Sequence, residues 1–113
     1  MERYRQRNPY YLLQLSEEAL LEDDYQESLR LLRSAIRKKD NDHLLYFALA
    51  KTQYLSGDLE EANNSFEHAR EIAPPNMAVY YNRPLNELVA EAVATARAEA
   101  LAETEARIDS ESG

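Results

Sequence analysis

The chain repeats itself at an interval of 34 residues: Pro9 to Asp42 and His43 to Asn76 carry the same design twice. Leu15 returns as Leu49, Leu21 as Leu55, Asp24 as Asp58, Glu27 as Glu61 and Ala35 as Ala69. Positions that change keep their character, with Ser16 and Ser28 returning as Ala50 and Ala62, and Leu32 as Phe66. A fixed period of this length belongs to a helix–turn–helix unit that cannot bury its apolar face alone and must stack on a copy of itself. Small residues then recur where two helices approach closely, and large apolar ones where the space between must be filled. The expected fold is all-α, an antiparallel helix–turn–helix solenoid with a long C-terminal helix.

Helical spacing and capping residues place the elements. Tyr11, Leu12, Leu15, Ala19 and Leu20 recur at helical intervals and predict an amphipathic helix from about Tyr10 to Glu22. Asp23 and Asp24 are good caps and poor helix-interior residues, and Asp24 followed by Glu27 starts a second helix that runs to about Lys39. Its inner stripe is Leu29, Leu32, Ala35 and Ile36. Asp40-Asn41-Asp42 turns the chain and caps a third helix from His43 to Leu55, which Ser56-Gly57-Asp58 ends. A fourth, from about Leu59 to Ile72, is closed by Pro74-Pro75.

After Asn76 the repeat decays. Met77 to Asn82 begins a third copy, but Pro84 falls where that copy needs a small mid-helix residue, and no glycine turn follows. Proline suits the first turn of a new helix, and no breaker interrupts the run from Pro84 to Ile108. Its apolar stripe (Leu85, Leu88, Val89, Ala92, Val93, Ala96, Ala100, Leu101) thins towards the end. The chain thus divides into an N-terminal arm at 1–8, one domain at 9–108 and a disordered tail at 109–113. Within the domain lie repeats 9–42 and 43–76, a partial third helix 77–83 and a capping helix 84–108. The ends of a repeat array need covering, which makes the last helix a cap on the second repeat. Self-association, with that helix pairing with its twin in another chain to give a homo-oligomer, is the alternative.

The second copy opens with an aromatic, Tyr46, followed by Leu49 and Ala50; Gly57-Asp58 makes the turn, Glu61-Ala62 comes early in the next helix, then Phe66, Ala69 and Pro74. This series resembles the tetratricopeptide repeat family. The tyrosine usual ahead of the turn is displaced to Tyr54, with Gln53 in its place; in the first copy Asp23 replaces the turn glycine and Asp40 the closing proline. The resemblance covers residues 9–76 of the 113. It implies a non-catalytic scaffold holding a peptide or helix of a partner protein in a concave groove lined by the first helix of each pair. Registered on the repeats, the groove positions are Tyr10, Leu13, Gln14, Glu17, Leu44, Phe47, Ala48, Lys51 and Tyr54, with Tyr81 and Asn82 if the third helix continues the array.

The family's best-known peptide-binding subset clamps a C-terminal carboxylate with lysines, asparagines and an arginine. Here the corresponding places hold Leu13, Glu17, Ala48, Ala78 and Asn82, so that clamp is not expected. A groove rich in tyrosine, phenylalanine and leucine suits a helix or an extended apolar peptide. Its covering by the chain's own terminal helix, or by a sister chain, is the competing reading.

Composition narrows the function classes. The chain has no cysteine, which excludes disulfides, thiolate nucleophiles and cysteine-based metal sites and makes a reduced, cytoplasmic compartment the expectation. No apolar run approaches a membrane span, and Met1 to Tyr11 lacks the apolar stretch of a signal peptide, so no membrane partner is expected. Residues 1–56 balance nine acids against nine bases, while residues 57–113 set twelve acids against four bases and carry the whole net charge of −8. Such a surface repels phosphate backbones, so nucleic acid is not an expected partner. The basic exception, Arg30, Arg33, Arg37, Lys38 and Lys39, gathers towards a helix end, where cations complement the macrodipole; a docking patch for an acidic partner is the less simple account.

His43 and His68 are the only histidines and lack ligand spacing, so they read as surface side chains rather than metal ligands. Carboxylates such as Glu17, Glu18 and Glu22 read as a solvated face, and with Gly57 and Gly113 the only glycines there is no phosphate loop. No enzyme activity, catalytic residue, cofactor or metal is expected. Asn63-Asn64-Ser65 matches a glycosylation acceptor but lies mid-helix.

Overall fold

The computed structural model describes residues 8–112, with side chains over 8–108. Every regular element among the described residues is helical: α1 Pro9–Leu21, α2 Tyr25–Lys38, α3 His43–Leu55, α4 Leu59–Ile72, a 3-10 turn Pro75–Met77, the single-turn α5 Ala78–Tyr81 and α6 Leu85–Ser112. Moving α1 and α2 along the chain by one repeat gives the bounds of α3 and α4 residue for residue.

The caps account for that agreement. A helix start leaves backbone N–H groups without intrahelical partners, and a short polar side chain just before it takes one of them. Asn8 accepts from Tyr10 N at 2.9 Å, Asp24 from Glu27 N at 3.2 Å, Asp42 from Leu44 N at 2.9 Å and Asp58 from Glu61 N at 3.4 Å. The two hairpin turns are also copies. Asp24 N donates to Ala19 O and Asp58 N to Gln53 O, both at 2.9 Å. The residue ahead of each cap has positive φ, 60° at Asp23 and 95° at Gly57. Aspartate enters the left-handed region more readily than most residues, which lets Asp23 stand where the second copy uses glycine.

Antiparallel neighbours pack in sequence, α1 on α2, α2 on α3 and α3 on α4, while α6 returns to meet both α3 and α1. Ser28, Ala35, Ala50, Ala62 and Ala69 are fully buried where helices close on each other. Leu12, Leu31, Ala35 and Leu45 form the core between the repeats. A larger cluster joins Ala50, Ala62, Phe66 and Ala69 of the second hairpin to Tyr81, Leu85, Leu88 and Val89. Buried polar side chains are paired: the Ser28 and Thr52 hydroxyls lie 2.9 Å apart, and the Ser65 hydroxyl donates to Gln53 Oε1 at 2.6 Å. That second bond gives Gln53 a structural role. It also puts the serine of the Asn63-Asn64-Ser65 sequence in the interior.

The start of α6 closes the open face of the second repeat with Leu85, Leu88 and Val89 buried and Val93 packed against them. From Leu101 to Ile108 every side chain is exposed. The helix nevertheless continues to Ser112, so residues 109–112 are helical where a disordered tail is the sequence expectation; no proline or glycine stands there to stop it. Residues 1–7 of the N-terminal arm and Gly113 lie outside the described residues.

Candidate functional site

α1 and α3 lie side by side and present equivalent positions of the two repeats on one face. The residues registered to the groove fall into three groups there. Tyr10 and Leu44, each 45% exposed, are open to solvent together with Gln14, Glu17 and Asn82. Leu13, Phe47 and Tyr54 are half-buried: Leu13 packs on the core between the repeats, and Phe47 and Tyr54 on the cluster that contains Leu85, Leu88 and Val89 of α6. Ala48, Lys51 and Tyr81 are buried.

Tyr81 departs furthest from a groove position. It is 1% exposed, with its ring centroid 6.1 Å from Phe47, 5.8 Å from Phe66 and 5.4 Å from Tyr80. Its hydroxyl lies 2.6 Å from His43 Nδ1, and its carbonyl accepts from Arg70 Nε at 2.9 Å. Burial, then the nearby Tyr80 and Asp42, pushes the phenol well above its ordinary pKa. The cause of the departure is Pro84: α5 makes one turn only, so its aromatic plugs the second repeat instead of extending the face.

The histidines are likewise not free surface side chains. Both are half-buried and edge-on to a tyrosine, His43 at 5.6 Å from Tyr81 and His68 at 4.2 Å from Tyr46. Tyr10, by contrast, is fixed at the rim. Its hydroxyl donates to Asp42, the cap of α3, and the Lys39 ammonium stands 5.7 Å above its ring.

Glu17 and Lys51 are the same position in successive repeats and face each other at 3.9 Å. Lys51 is 9% exposed, and burial holds its pKa below the ordinary lysine value, with the Glu17 charge opposing. Both line a cavity of about 330 Å³ whose other wall is α6, from Glu91 to Glu99, and whose floor includes Leu20, Leu21 and Leu55. Tyr80 also lines it. Burial and the Glu91 carboxylate raise its pKa, against the Arg83 charge. Arg83 reaches along α6 to Glu87, at 2.7 Å, and to Glu91, whose pKa its hydrogen bond holds low.

Sequence reasoning misses this cavity, because its lining is drawn from α1, the first turn, α2, α3, α5 and α6 and comes together only in the tertiary fold. The Arg83, Glu87, Glu91 spacing signals the ion pairs at the start of α6, of which Glu91 alone lines the cavity. Among the described residues no three His, Cys, Asp or Glu side chains gather to hold a metal ion, and no helix is long and apolar enough to cross a membrane. Comparison with protein-family models, curated proteins and solved structures finds no match.

Proposed function

We propose that this chain is a non-catalytic protein-interaction module of the tetratricopeptide type, working in a reduced intracellular compartment. Its surface for a partner's peptide or helix is the part of the α1–α3 face that α6 leaves open. The observation that carries this reading is the repetition itself: two hairpins with the same bounds, caps and turn geometry present equivalent side chains side by side. Such stacking creates extended recognition surfaces without any catalytic apparatus. Tyr10, Gln14 and Leu44 are the exposed members of that face, and Leu13 is half-exposed beside them. An aromatic fixed at its hydroxyl, an amide and an aliphatic suit the apolar anchor and polar rim of a peptide site.

The test is affinity capture from a native extract with the full chain and with Leu44→Asp and Gln14→Arg. These side chains are exposed, so the variants should keep the parent's melting curve and lose a specific partner. A partner retained by both variants alike would remove this face from consideration.

A second reading has one observation in its favour. Leu101 and Ile108, 61% and 57% exposed, lie seven residues apart on the projecting half of α6. That spacing puts them on one helix face, as for a helix that pairs with another copy. Light scattering over a wide concentration range decides it: a dimer that Leu101→Glu with Ile108→Glu dissociates supports self-association, and a monomer throughout excludes it.

A further inference from the structure

The chain has three lysines, and two of them, Lys38 and Lys39, stand exposed at the end of α2. Lysine ordinarily carries its ammonium out to water on a flexible stem. Lys51 does not. Its side chain is 11% exposed, and its one ion-pair partner among the described residues, Glu17, is 3.9 Å away, beyond hydrogen-bond reach. It lines the cavity of about 330 Å³ between α1, α3 and α6. At about 30 Å³ per water, that space suits a molecule of about ten non-hydrogen atoms.

The lining chooses between ligand classes. Leu20, Leu21, Leu55, Ala92, Val93 and Ala96 offer an apolar body. The other charged groups lining the cavity are Glu17 on α1, Asp23 in the first turn, and Glu91, Arg97 and Glu99 on α6; the phenols are Tyr25 on α2 and Tyr80 on α5. Four carboxylates against one further cation disfavour an anion. A neutral, apolar molecule with an electrophilic carbon meets no such objection. Desolvation favours the uncharged amine, which is the nucleophilic form.

We propose that Lys51 is a covalent capture site for small apolar aldehydes, held in this cavity as a Schiff base. The Nζ lone pair forms the C–N bond as the carbonyl π bond breaks, and the first of the two nitrogen protons passes to the oxygen to give the neutral carbinolamine. Nitrogen then gives up a proton, the hydroxyl gains one and leaves as water, and the C=N bond forms. Amine and aldehyde become imine and water, with no oxidant or reductant. Glu17, 3.9 Å from Nζ, is the carboxylate that carries the proton between the two steps through one bridging water. The cavity lies beneath α6, so this site stands or falls independently of the open face.

The experiment uses the intact chain, hexanal and cyanoborohydride, which fixes any imine as a secondary amine, across about pH 6 to 10, where free-amine fraction varies most. Peptide mass spectrometry reads Lys51 against Lys38 and Lys39 as internal controls. Lys51 should be alkylated severalfold faster than Lys38 and Lys39 at neutral pH, because burial favours its free amine and the apolar cavity holds the aldehyde beside it. The preference should vanish in urea and shrink when formaldehyde replaces hexanal. Ala96→Phe, which fills the cavity, should suppress labelling of Lys51 alone. Equal native labelling of the three lysines, or a preference that persists in urea, overturns the proposal without needing the variant to fold.

Discussion

Ending the chain at Arg83 removes α6 and tests whether that helix is part of the fold. Leu85, Leu88 and Val89 are 6%, 1% and 2% exposed, on a cluster with Phe66 and Tyr81. Burying each aliphatic contributes about 1.5–3 kcal/mol, so the three together supply about 5–9 kcal/mol. A whole domain holds only about 5–15 kcal/mol. The Arg83 bonds to Glu87 and Glu91 are also lost, but exposed ion pairs add little. The shortened chain should therefore show no cooperative thermal transition by far-ultraviolet circular dichroism, and it should aggregate. Ending the chain at Leu101 instead removes, among the described side chains, only exposed ones and should shift the melting temperature by no more than a few degrees, since about 1 kcal/mol corresponds to roughly 4–8 °C at this size. Point variants give the same contrast at single residues: Leu88→Ala should cost about 2–5 kcal/mol, and Leu101→Ala no more than about 0.5 kcal/mol. A chain ending at Arg83 that melted like the parent would refute the capping argument and make α6 an appendage.

Four further outcomes follow from the same packing. Gly57→Ala should cost about 1–2 kcal/mol in urea unfolding, entirely from its φ of 95°, because open space surrounds the added Cβ. Ala62→Leu, at a fully buried helix contact, should overpack it by about 1–3 kcal/mol. Ser28→Ala alone should cost about 1–3 kcal/mol by leaving Thr52 without its partner, and adding Thr52→Val should restore most of it in a double-mutant cycle. Lys51→Met should raise stability at neutral pH by about 1 kcal/mol, since a buried charge gives way to an apolar chain of similar length. The unfolded chain holds more protons at Lys51 than the fold does between the lowered pKa and the ordinary 10.5, so the parent's stability should gain with pH across that window, and Lys51→Met should lack the gain.

Local signals made most of the fold legible. Asp24, Asp42 and Asp58 announce helix starts through chemistry confined to one turn, and those starts fall where the pattern puts them. Pro84 announces both the end of α5 and the beginning of α6. What the pattern left open was direction: an alanine-rich helix can project, pair with a twin or turn back, and its apolar stripe is the same in each case. The structure turns it back across α3 and α1. That single tertiary choice also governs the site. Repeat register places Tyr10, Leu44, Phe47 and Tyr54 on one face, but register carries no information about what covers it. Tyr81 is misjudged for the same reason, because its equivalence to Phe47 holds along the chain and fails once Pro84 ends the helix. Lys51 looks like an ordinary helix cation until Leu20 and Ala96, distant in sequence, are seen to enclose it.

The cover on the face decides which of its residues a partner can use. Phe47 and Tyr54 pack against the cluster that α6 completes, so a ligand contacting them in full must first displace Leu85, Leu88 and Val89. At about 1.4 kcal/mol per decade, an opening cost of about 5–9 kcal/mol weakens apparent affinity by roughly four to six decades. A partner meeting Tyr10, Gln14 and Leu44 incurs no such cost, because those side chains are already exposed. Tyr10 is also oriented in advance by Asp42, the residue that caps α3, so the junction that stacks the repeats holds the rim aromatic in place. Preorganisation of that kind lowers the entropy lost on binding. Tyr10→Phe keeps the ring and removes the tether, and it should weaken a partner bound at the rim while leaving one bound beneath α6 unaffected.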